Sequence, residues 1–363
     1  MEKIGIVCEY NPFHNGHKYH IEQIKNMFPD SLIILIMSGY FTERGEISLI
    51  SKYNKTKIAL EYGIDVILEL PSLYAVNSAD YFADAAIKAL SIAGVQKIVF
   101  GSETNDISLL KSTARKQLEN PDFDSNVKSL MNTGVNYPTA LSISSGCTFK
   151  SNDLLGVSYI KSIMRNNFDI EPITIQRTND YNDLESNDDI ISASNIREKY
   201  RNGLSIKKYI PLYSDTYINK VDENKLFELL KYKIITSNNL NDYLGVDEGL
   251  DNKLKSEIYN VQSVDGLLEK IKSKRYTYVR LRRMLMHILL GIRKIDMNCE
   301  FINPRILGFS KQGQKYLSEL KSENLIFKDN SRIREIELRA SDIYYMLTND
   351  SSCKLERLNK PVK

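Results

Sequence analysis

Histidine is concentrated at one point of the sequence. Three of the four histidines lie within seven residues, namely His14, His17 and His20. They follow a short apolar segment, and the first two flank Asn15 and Gly16. Two imidazoles beside a backbone that glycine leaves accessible can donate hydrogen bonds to phosphate oxygens as negative charge develops there. The spacing predicts phosphate chemistry at this turn.

The elements around the histidines predict how they are positioned. Short apolar segments alternate with amphipathic ones in the first part of the chain, which is typical of a parallel sheet with crossover helices. Predicted strands cover residues 3–8, 32–37, 65–70, 96–100 and 170–176, and predicted helices cover 15–28, 49–62 and 79–93. The histidines therefore lie where the first strand ends, which is where open parallel sheets bind ligands. The helix that follows offers unpaired N–H groups to a phosphate.

No other phosphate-binding motif occurs in the sequence. It contains neither the G-x-x-x-x-G-K-S/T of a P-loop nor the G-x-G-x-x-G of a dinucleotide-binding turn. We therefore assign phosphate binding to His14 and His17, with His20 one helical turn further on. The alternative is a helix that happens to begin with several histidines.

A second predicted helix start carries polar groups suited to phosphates. Ser194 is predicted to cap a helix that runs to residue 200, and Arg197 lies one turn further on. A hydroxyl, backbone N–H groups and a guanidinium can bind β- and γ-phosphates there. The predicted catalytic residues are therefore His14, His17, Ser194 and Arg197, although a plain helix cap remains the alternative for Ser194.

The second half of the chain has a different periodicity. Past residue 211 the pattern is almost wholly helical, with amphipathic segments at 223–234, 250–261, 264–271 and 281–292. We predict a Rossmann-like α/β domain over residues 1–205 and a mainly helical domain over residues 206–363. A polar loop is expected at 179–189, and a structural role is expected for His287.

Cations are concentrated between residues 270 and 295. This segment has nine Lys or Arg residues and no Asp or Glu, although the net charge of the chain is only +3. Such an excess is typical of a surface that contacts a nucleic acid backbone, and the interleaved Tyr276 and Tyr278 can stack on unpaired bases. The predicted RNA-binding residues are Lys272, Lys274, Arg275, Arg280, Arg282 and Arg283, together with Arg44. A solvated helix face is the alternative.

Composition is that of an ordinary globular protein, with 42% hydrophobic and 26% charged residues. No segment has the length and apolar character of a membrane span. The four cysteines are scattered, without the spacing of a metal site or a redox pair. These features predict reduced thiols, no metal site and a cytoplasmic location, and nothing indicates a protein partner.

Residues 5–17 resemble a known family. The segment GIVCEYNPFHNGH contains the H-x-G-H turn of the nucleotidylyltransferase superfamily and is similar to the bacterial tRNA(Met) cytidine acetate ligases. Further similar segments are spread along the chain: MSG at 37–39, RGE at 44–46, ELP at 69–71, ADYFA at 79–83, FGSE at 100–103, ISASNIR at 191–197, KRYT at 274–277, RRML at 282–285 and RASDIY at 339–344.

The resemblance implies an activity. Members of this family condense acetate with ATP to give acetyl-adenylate and pyrophosphate. They then transfer the acetyl group to N4 of the wobble cytidine of elongator tRNA(Met), forming N4-acetylcytidine. The resemblance therefore implies ATP, acetate and tRNA as substrates, with Mg²⁺ carried on the ATP phosphates.

The resemblance also implies an ATP site. A glycine, an asparagine and an arginine of the family correspond here to Gly101, Asn152 and Arg177. The first strand, turn and helix supply Val7, Cys8, Glu9, Tyr10, Asn11, Pro12, Phe13, His14, Asn15, Gly16, His17, Lys18, Tyr19 and His20. Ser151 stands where the family pattern has a proline, and Ala193 replaces the threonine of the wider superfamily's I-S-T-S signature, but neither change removes a group that the chemistry needs.

Two other functions fit parts of the sequence. An adenylyltransferase for a small phosphate ester or a mononucleotide uses the same H-x-G-H turn, but such enzymes are typically shorter and need no long helical domain. An RNA-binding protein that keeps a nucleotide without catalysis is the other alternative, against which the presence of both His14 and His17 argues.

Overall fold

A six-stranded sheet occupies the centre of the amino-terminal part. The computed structural model describes residues 1–135, 137–177, 189–211, 214–299, 301, 304–320, 331–358 and 360–363. The strands are β1 Lys3–Cys8, β2 Leu32–Ser38, β3 Val66–Leu70, β4 Lys97–Ser102, β5 Glu171–Gln176 and β6 Ile306–Phe309. Their order is β5-β4-β1-β2-β3-β6, and the first five run parallel. The predicted Rossmann-like α/β fold is confirmed. Of the predicted polar loop at 179–189, only Asp189 lies within the described residues.

Helices cover both faces of the sheet and make up most of the carboxyl-terminal part. Those of the first part are α1 Asn15–Met27, α2 Lys52–Glu61, α3 Ser72–Ala75, α4 Ala79–Ile92, α5 Ile107–Glu119, α6 Phe123–Asn132, α7 Tyr137–Ser145, α8 Ser151–Arg165 and α9 Ala193–Arg201. Those of the second part are α10 Glu223–Thr236, α11 Leu250–Glu257, α12 Val264–Ile271, α13 Tyr278–Leu290, α14 Lys311–Glu319, α15 Ser331–Thr348 and α16 Leu355–Leu358.

The central strands fold as they do because their side chains are apolar on both faces. Every residue of β2, LIILIMS, is buried, as parallel strands covered by helices on both sides require. Lys3 pairs with Leu32 and Cys8 with Met37, so β1 and β2 end at the same level. On its other edge β1 pairs with β4. The strand order therefore changes direction between β1 and β4, which opens a crevice at their carboxyl ends.

The sequence pattern did not reveal β6. This strand lies far along the chain, yet it pairs antiparallel with β3 at the sheet edge, with Val66 opposite Phe309. Val362 in turn bridges to Gly308. Four residues containing a glycine are too few to show a strand periodicity, so the pairing with β3 selects this conformation. The carboxyl-terminal part thus completes the sheet as well as adding helices.

A buried ionic cluster joins the last helices to the sheet. The Lys52 ammonium is fully buried and contacts Glu69, Glu337 at 3.3 Å and Glu356 at 2.6 Å. Arg305 and Arg334 both bind the Glu356 carboxylate. The cluster therefore contains three carboxylates, Glu69, Glu337 and Glu356. It also contains three cations, Lys52, Arg305 and Arg334, so the two signs are equal in number. Such buried groups need this mutual pairing because they have lost their hydration.

His287 lies within α13 and is buried, as expected for a histidine with a structural role. Its ring is 4% exposed, and its two nitrogens lie 2.9 Å from the Leu244 carbonyl and 2.5 Å from the Val76 carbonyl. The ring therefore joins α13 to the segment that follows α3.

Candidate active site

A cavity of about 310 Å³ lies at the carboxyl ends of β1 and β4. Its walls come from the start of α1, the loop after β2, α4, α8, the end of β5 and the start of α9. The structure brings most of the predicted site residues into this lining, namely Val7, Cys8, Glu9, Tyr10, Asn11, His14, Gly16, His17, Tyr19, His20, Arg44, Gly101, Asn152, Arg177 and Arg197.

Of the predicted catalytic and ATP-binding residues, five lie outside the described lining of the cavity: Pro12, Phe13, Asn15, Lys18 and Ser194. Phe13 is fully buried in the core. The Asn15 side chain donates to the carbonyls of Asp189 at 2.8 Å and Lys208 at 2.9 Å. Asn15 therefore anchors the chain segments on either side of α9, and Phe13 holds the turn in the core.

The first turn of α1 fixes both imidazoles. The Gly16 N–H donates to His14 Nδ1 at 3.0 Å, and the His14 N–H donates to His17 Nδ1 at 3.2 Å. His14 is thus the N-cap of α1, and the two rings stack with their centroids 3.8 Å apart. A backbone N–H only donates, so each Nδ1 is an unprotonated acceptor and the ring proton lies on Nε2. Both histidines are therefore held as neutral Nε2–H donors at the cavity.

The surroundings keep these rings neutral. Burial, with smaller contributions from Arg177 and Arg197, lowers the pKa of His14 to about 3. Burial and the neighbouring His14 and His20 lower the pKa of His17 well below its ordinary value. Burial and Arg177 lower that of His20 to about 4. A neutral imidazole still donates a hydrogen bond through Nε2–H, so both rings can bind an anionic phosphate oxygen without being protonated.

Gly16 is required by the ring of His14. A Cβ at this position would lie 2.8 Å from His14 Cε1 and 3.0 Å from His14 Nδ1. The glycine therefore lets the imidazole fold back over the helix start and accept from the Gly16 N–H.

The other side of the cavity is organised by two acids that the sequence analysis did not assign. The Glu103 carboxylate accepts from Asn152 Nδ2 at 2.5 Å and from the Asp153 N–H at 2.9 Å. Asp153 in return accepts from Ser102 Oγ at 2.5 Å and from the Thr104 N–H at 3.1 Å. This reciprocal network locks the end of β4 to the start of α8. The available indication for Glu103 was its place three residues after the predicted strand at 96–100, whereas no predicted element marked Asp153.

Arg177 follows β5 and packs over Gly101 at the end of β4. A Cβ at Gly101 would lie 3.2 Å from Arg177 Cγ, so the glycine leaves room for the arginine stem. Arg177 Nε lies 3.9 Å from Glu103 Oε1. The residues Gly101, Asn152 and Arg177, far apart in sequence, therefore meet around Glu103.

The predicted cap of α9 needs correction. The N-cap is Ser192, whose side chain accepts from the Asn195 N–H at 3.2 Å. Ser194 lies in the first turn instead, and its Oγ accepts from Arg197 Nη2 at 3.2 Å. The cap falls two residues earlier because Ser192 has the extended backbone that a cap requires.

Arg197 joins α9 to the histidine turn. Its Nη1 donates to the Asn11 carbonyl at 2.8 Å, and its Nη2 lies 2.7 Å from Glu46 Oε2. Asn11 Oδ1 accepts from the Leu49 N–H at 2.8 Å. The positive charge of Arg197 is therefore shared with Glu46, and its geometry holds the chain that enters α1.

Several polar atoms of residues that line the cavity are buried without a hydrogen-bond partner in the described part of the chain. They are Asn11 Nδ2, His20 Nε2, Arg177 Nε and Arg197 Nε. A buried polar atom without a partner is uncommon and needs an explanation. A polar ligand or a water molecule in this cavity can satisfy those of them that face it.

The basic segment is more engaged than its sequence indicates. Five of its described cations face acids from outside the segment: Arg275 with Glu248, Arg280 with Asp247 at 3.7 Å, Arg282 with Asp265 at 2.6 Å, Arg283 with Glu43 at 2.6 Å, and Lys294 with Asp247 at 2.8 Å. Within the described residues, Lys272 and Lys274 form no ion pair. Arg44 lines the cavity and donates to Ser151 Oγ at 3.4 Å.

The two tyrosines of this segment differ in exposure. Tyr276 is 6% exposed, and Arg280 Cζ lies 4.3 Å from the centroid of the Tyr276 ring. Tyr278 is 49% exposed. Of the two tyrosines, Tyr278 is therefore the one exposed enough to stack on an unpaired base, and Lys272 Nζ lies 5.4 Å from its ring centroid.

Two further properties concern ions and membranes. In the described ranges, no three His, Cys, Asp or Glu side chains are grouped so that they could hold a metal ion. None of the described helices combines the length and apolar character needed to cross a bilayer.

The fold and the cavity together define a nucleotidyl transferase of the H-x-G-H class. They combine a switch-point cavity, a helix amino terminus and two neutral imidazole donors. The family model described as HIGH Nucleotidyl Transferase matches residues 1–359.

Comparison with known proteins narrows this class. A tRNA(Met) cytidine acetate ligase from Caldicellulosiruptor saccharolyticus is 36% identical, covering 95% of this chain and 94% of its own. One from Clostridium perfringens is 35% identical, covering 100% and 99%. The crystal structure of Thermotoga maritima TmcAL bound with alpha-thio ATP superimposes with a TM-score of 0.86 at 27% identity, covering 98% and 96%. This chain belongs to the tRNA(Met) cytidine acetate ligase family.

Proposed function

We propose that this protein activates acetate with ATP as acetyl-adenylate and transfers the acetyl group to N4 of the wobble cytidine of elongator tRNA(Met). The observation that carries the proposal is the pair of locked imidazoles, His14 and His17, which present Nε2–H donors at the amino terminus of α1. The names of the relatives support the choice of acetate and tRNA.

In the first step an acetate oxygen attacks the α-phosphorus of ATP, and pyrophosphate leaves with the electron pair of the broken P–O bond. Negative charge grows on the phosphate oxygens as this happens. The Nε2–H groups of His14 and His17 donate to those oxygens, and the amino terminus of α1 adds its dipole. Loss of one such donor from a closed site costs about 10²–10³ in rate.

The nucleoside part of ATP is proposed to lie toward Gly101, Asn152 and Arg177. Gly101 allows a close approach, and Glu103 holds the Asn152 amide in place. Arg177 Nε is buried and, among the described residues, has no hydrogen-bond partner, only the Glu103 carboxylate at 3.9 Å, which supports a polar or aromatic ligand beside it.

Mg²⁺ is proposed to enter with ATP. Magnesium keeps several waters and binds through substrate phosphates in many nucleotide sites, so it needs no dedicated protein cage. The chain's own part is then to orient the phosphates through His14 and His17.

The transfer RNA is proposed to lie against the exposed part of the basic segment, in particular Lys272, Lys274 and Tyr278. We assign nucleotide chemistry to residues 1–205 and RNA contacts mainly to residues 206–363, and we expect the enzyme to work in the cytoplasm. Arg44, at the cavity rim, is proposed to meet the RNA where the target base enters.

The test uses ATP, radiolabelled acetate and unmodified elongator tRNA(Met) with the full-length protein. We expect labelled N4-acetylcytidine after digestion of the tRNA, and a loss of about 10²–10³ in rate for His17→Ala. The absence of labelled tRNA, together with no acetate-dependent release of pyrophosphate, would overturn the proposal. Pyrophosphate release that needs a phosphate ester instead of acetate would favour a small-molecule adenylyltransferase.

A further inference from the structure

One carboxylate in the cavity has been given no chemical role above, although the resemblance places it in the ATP site. Glu9 directly follows β1 and lines the cavity together with His14 and Arg177. Its Oε1 accepts from the Glu43 N–H at 2.7 Å and from Ser38 Oγ at 3.3 Å. Among the described residues, Oε2 has no hydrogen-bond partner. The side chain is thus held by one oxygen and presents the other.

The backbone of Glu9 is fixed as firmly as its side chain. The buried Lys55 ammonium donates to the Glu9 carbonyl at 2.9 Å and to the Ser38 carbonyl at 2.8 Å. This cation therefore ties together the ends of β1 and β2. Both the Glu9 carbonyl and Oε1 are therefore fixed by hydrogen bonds, which limits where Oε2 can lie. No described residue donates a hydrogen bond to Oε2.

An apolar wall stands in the same cavity. It is formed by Phe82 of α4, Phe100 of β4, and Leu155 and Tyr159 of α8. The Phe100 and Tyr159 rings meet edge to face, 5.7 Å apart. A Cβ at Gly156 would lie 2.5 Å from the Phe100 ring, so glycine lets this ring pack against α8. A flat, apolar surface beside a carboxylate suits a heterocycle that carries a hydrogen-bond donor.

Cytosine and uracil differ at this donor. Cytosine presents an N4 amino group, whereas uracil presents a carbonyl oxygen, and a carboxylate accepts only from the amine. The N4 lone pair is delocalised into the ring, so this amine is a weak nucleophile until it loses a proton. A positioned carboxylate answers both requirements, since it selects the amine and can accept its proton.

We propose that Oε2 of Glu9 accepts a hydrogen bond from N4 of the target cytidine and takes the proton that this amine loses during acetyl transfer. This inference rests on the proposed function. N4 attacks the carbonyl carbon of acetyl-adenylate and the C–N bond forms. The bond from that carbon to the phosphate oxygen breaks, and AMP leaves with its electron pair. One N4 proton moves to Glu9, and the other stays on the amide.

The charged groups around Glu9 suit this role. Those that face it are Cys8 on the same strand, Glu43 and Lys55 beside its carboxyl and carbonyl, Arg197 from α9 and Tyr159 from α8. Burial and the Glu43 charge, opposed by the Glu43 N–H bond, Lys55 and Arg197, raise the pKa of Glu9 to about 7. A base of this strength is deprotonated often enough to accept a proton near neutral pH and strong enough to hold it.

The test separates the two half-reactions of full-length Glu9→Gln. Gln keeps an oxygen that accepts from the Glu43 N–H, but it places an NH₂ where Oε2 stood. Acetate-dependent ATP–pyrophosphate exchange measures the first step. Single-turnover transfer from preformed acetyl-adenylate to elongator tRNA(Met) measures the second. We expect a loss in transfer of about 10²–10⁴, at least tenfold larger than any loss in exchange.

The pH profile adds a measurement that a structural role would not change. In the wild-type protein the transfer rate should rise with pH through about 7 and then level, because the carboxylate form is the acceptor. Glu9→Gln should lack this rise. Glu43→Gln is the control, since its carboxylate faces Arg283. It should keep the rise but move it to lower pH, because the Glu43 charge is one cause of the raised pKa of Glu9.

Base preference gives a third comparison. A tRNA with uridine at the target position should compete poorly with the cytidine tRNA for binding to the wild-type protein. It should compete better for Glu9→Gln, whose NH₂ can donate to uracil O4. Equal losses in exchange and transfer, or an unchanged pH profile of Glu9→Gln, would overturn the proposal for Glu9. A wild-type protein without acetate-dependent exchange would instead overturn the proposed function, and the role of Glu9 with it.

Discussion

Arg283 binds Glu43 through Nη1 and Oε1, which lie 2.6 Å apart, and so joins α13 to the loop over the cavity. The loop backbone packs directly on the same helix, because a Cβ at Gly45 would lie 2.6 Å from the Arg283 nitrogen. The Glu43 N–H donates to Glu9. A helix in the basic segment is therefore two contacts away from the carboxylate that we propose to act on the cytidine.

The Arg283–Glu43 pair should contribute to stability. Burial raises the pKa of Glu43, and Arg283 opposes this by stabilising its charge. Arg283→Met and Glu43→Gln should each lower the free energy of unfolding by about 1–3 kcal/mol, with a coupling energy of about 0.5–3 kcal/mol between them. Urea unfolding of both single variants and the double variant measures it.

The exposed Arg357–Asp342 pair is the control for this cycle, since both its side chains are more than half exposed. Its coupling should be about 0–1 kcal/mol. Additivity of Arg283→Met and Glu43→Gln within about 0.3 kcal/mol would show that the contact is not a stabilising link.

His14 and His17 should be observable as neutral Nε2–H tautomers. The chain has only four histidines, so ¹⁵N-histidine labelling and long-range ¹H–¹⁵N spectra can resolve their rings. Because burial lowers the pKa of His14 to about 3, its ring should stay neutral as the pH falls from 8 to 5. A Nδ1–H tautomer for either ring, or titration near pH 6.5, would contradict the hydrogen bonds at the start of α1.

The sheet and its site were largely predictable because local patterns determine them. The β2 segment is apolar at nearly every position, and the turn after β1 places His14 and His17 at a strand end. A switch point and a helix start then follow from chain order alone. Chain order thus predicted where the cavity would be, whereas Gly101, Asn152 and Arg177 were expected only from the family resemblance.

What the sequence missed depends on contacts between distant segments. Lys52 and Lys55 are buried cations on α2 whose partners lie far along the chain. Lys52 pairs with Glu337 and Glu356, and Lys55 donates to the carbonyls of Glu9 and Ser38. β6 is a strand because β3 has a free edge. Arg282 and Arg283 look like a basic face in sequence, whereas the acids that pair with them come from elsewhere in the chain. No local pattern encodes such pairings.

Gly16→Ala should separate folding from catalysis. In a helix interior alanine is favoured over glycine by about 0.5–1 kcal/mol, so α1 should remain formed. The new Cβ would lie 2.8 Å from His14 Cε1 and should displace that ring. We expect acetate-dependent ATP–pyrophosphate exchange to fall by about 10²-fold, with Tm nearly unchanged.

Gly266→Ala is the matched control for this variant. Gly266 also lies in a first helical turn and donates to its N-cap, Ser263, but on α12. The exchange rate of this control should stay within about twofold, as for a change away from the site. Normal exchange in Gly16→Ala would mean that His14 can act from a displaced position.

Lys272 and Lys274 should carry a larger share of the tRNA affinity than their paired neighbours. Within the described chain neither forms an ion pair, and Lys272 lies over the exposed Tyr278 ring at 5.4 Å. The double variant Lys272→Ala, Lys274→Ala should weaken tRNA binding and reduce the slope of log K against log salt by about 1 for each lost phosphate contact. Filter binding at several salt concentrations measures both.

Lys294→Ala is the control for this experiment, because Lys294 belongs to the same segment but lies 2.8 Å from Asp247 and donates to the Val246 carbonyl. A cation already paired releases few counterions when RNA binds, so its removal should change the salt slope by less than about half of that amount. If both variants shift the slope equally, the acids around this segment do not determine which cations meet the RNA. If neither shifts it, the tRNA binds another face of the protein.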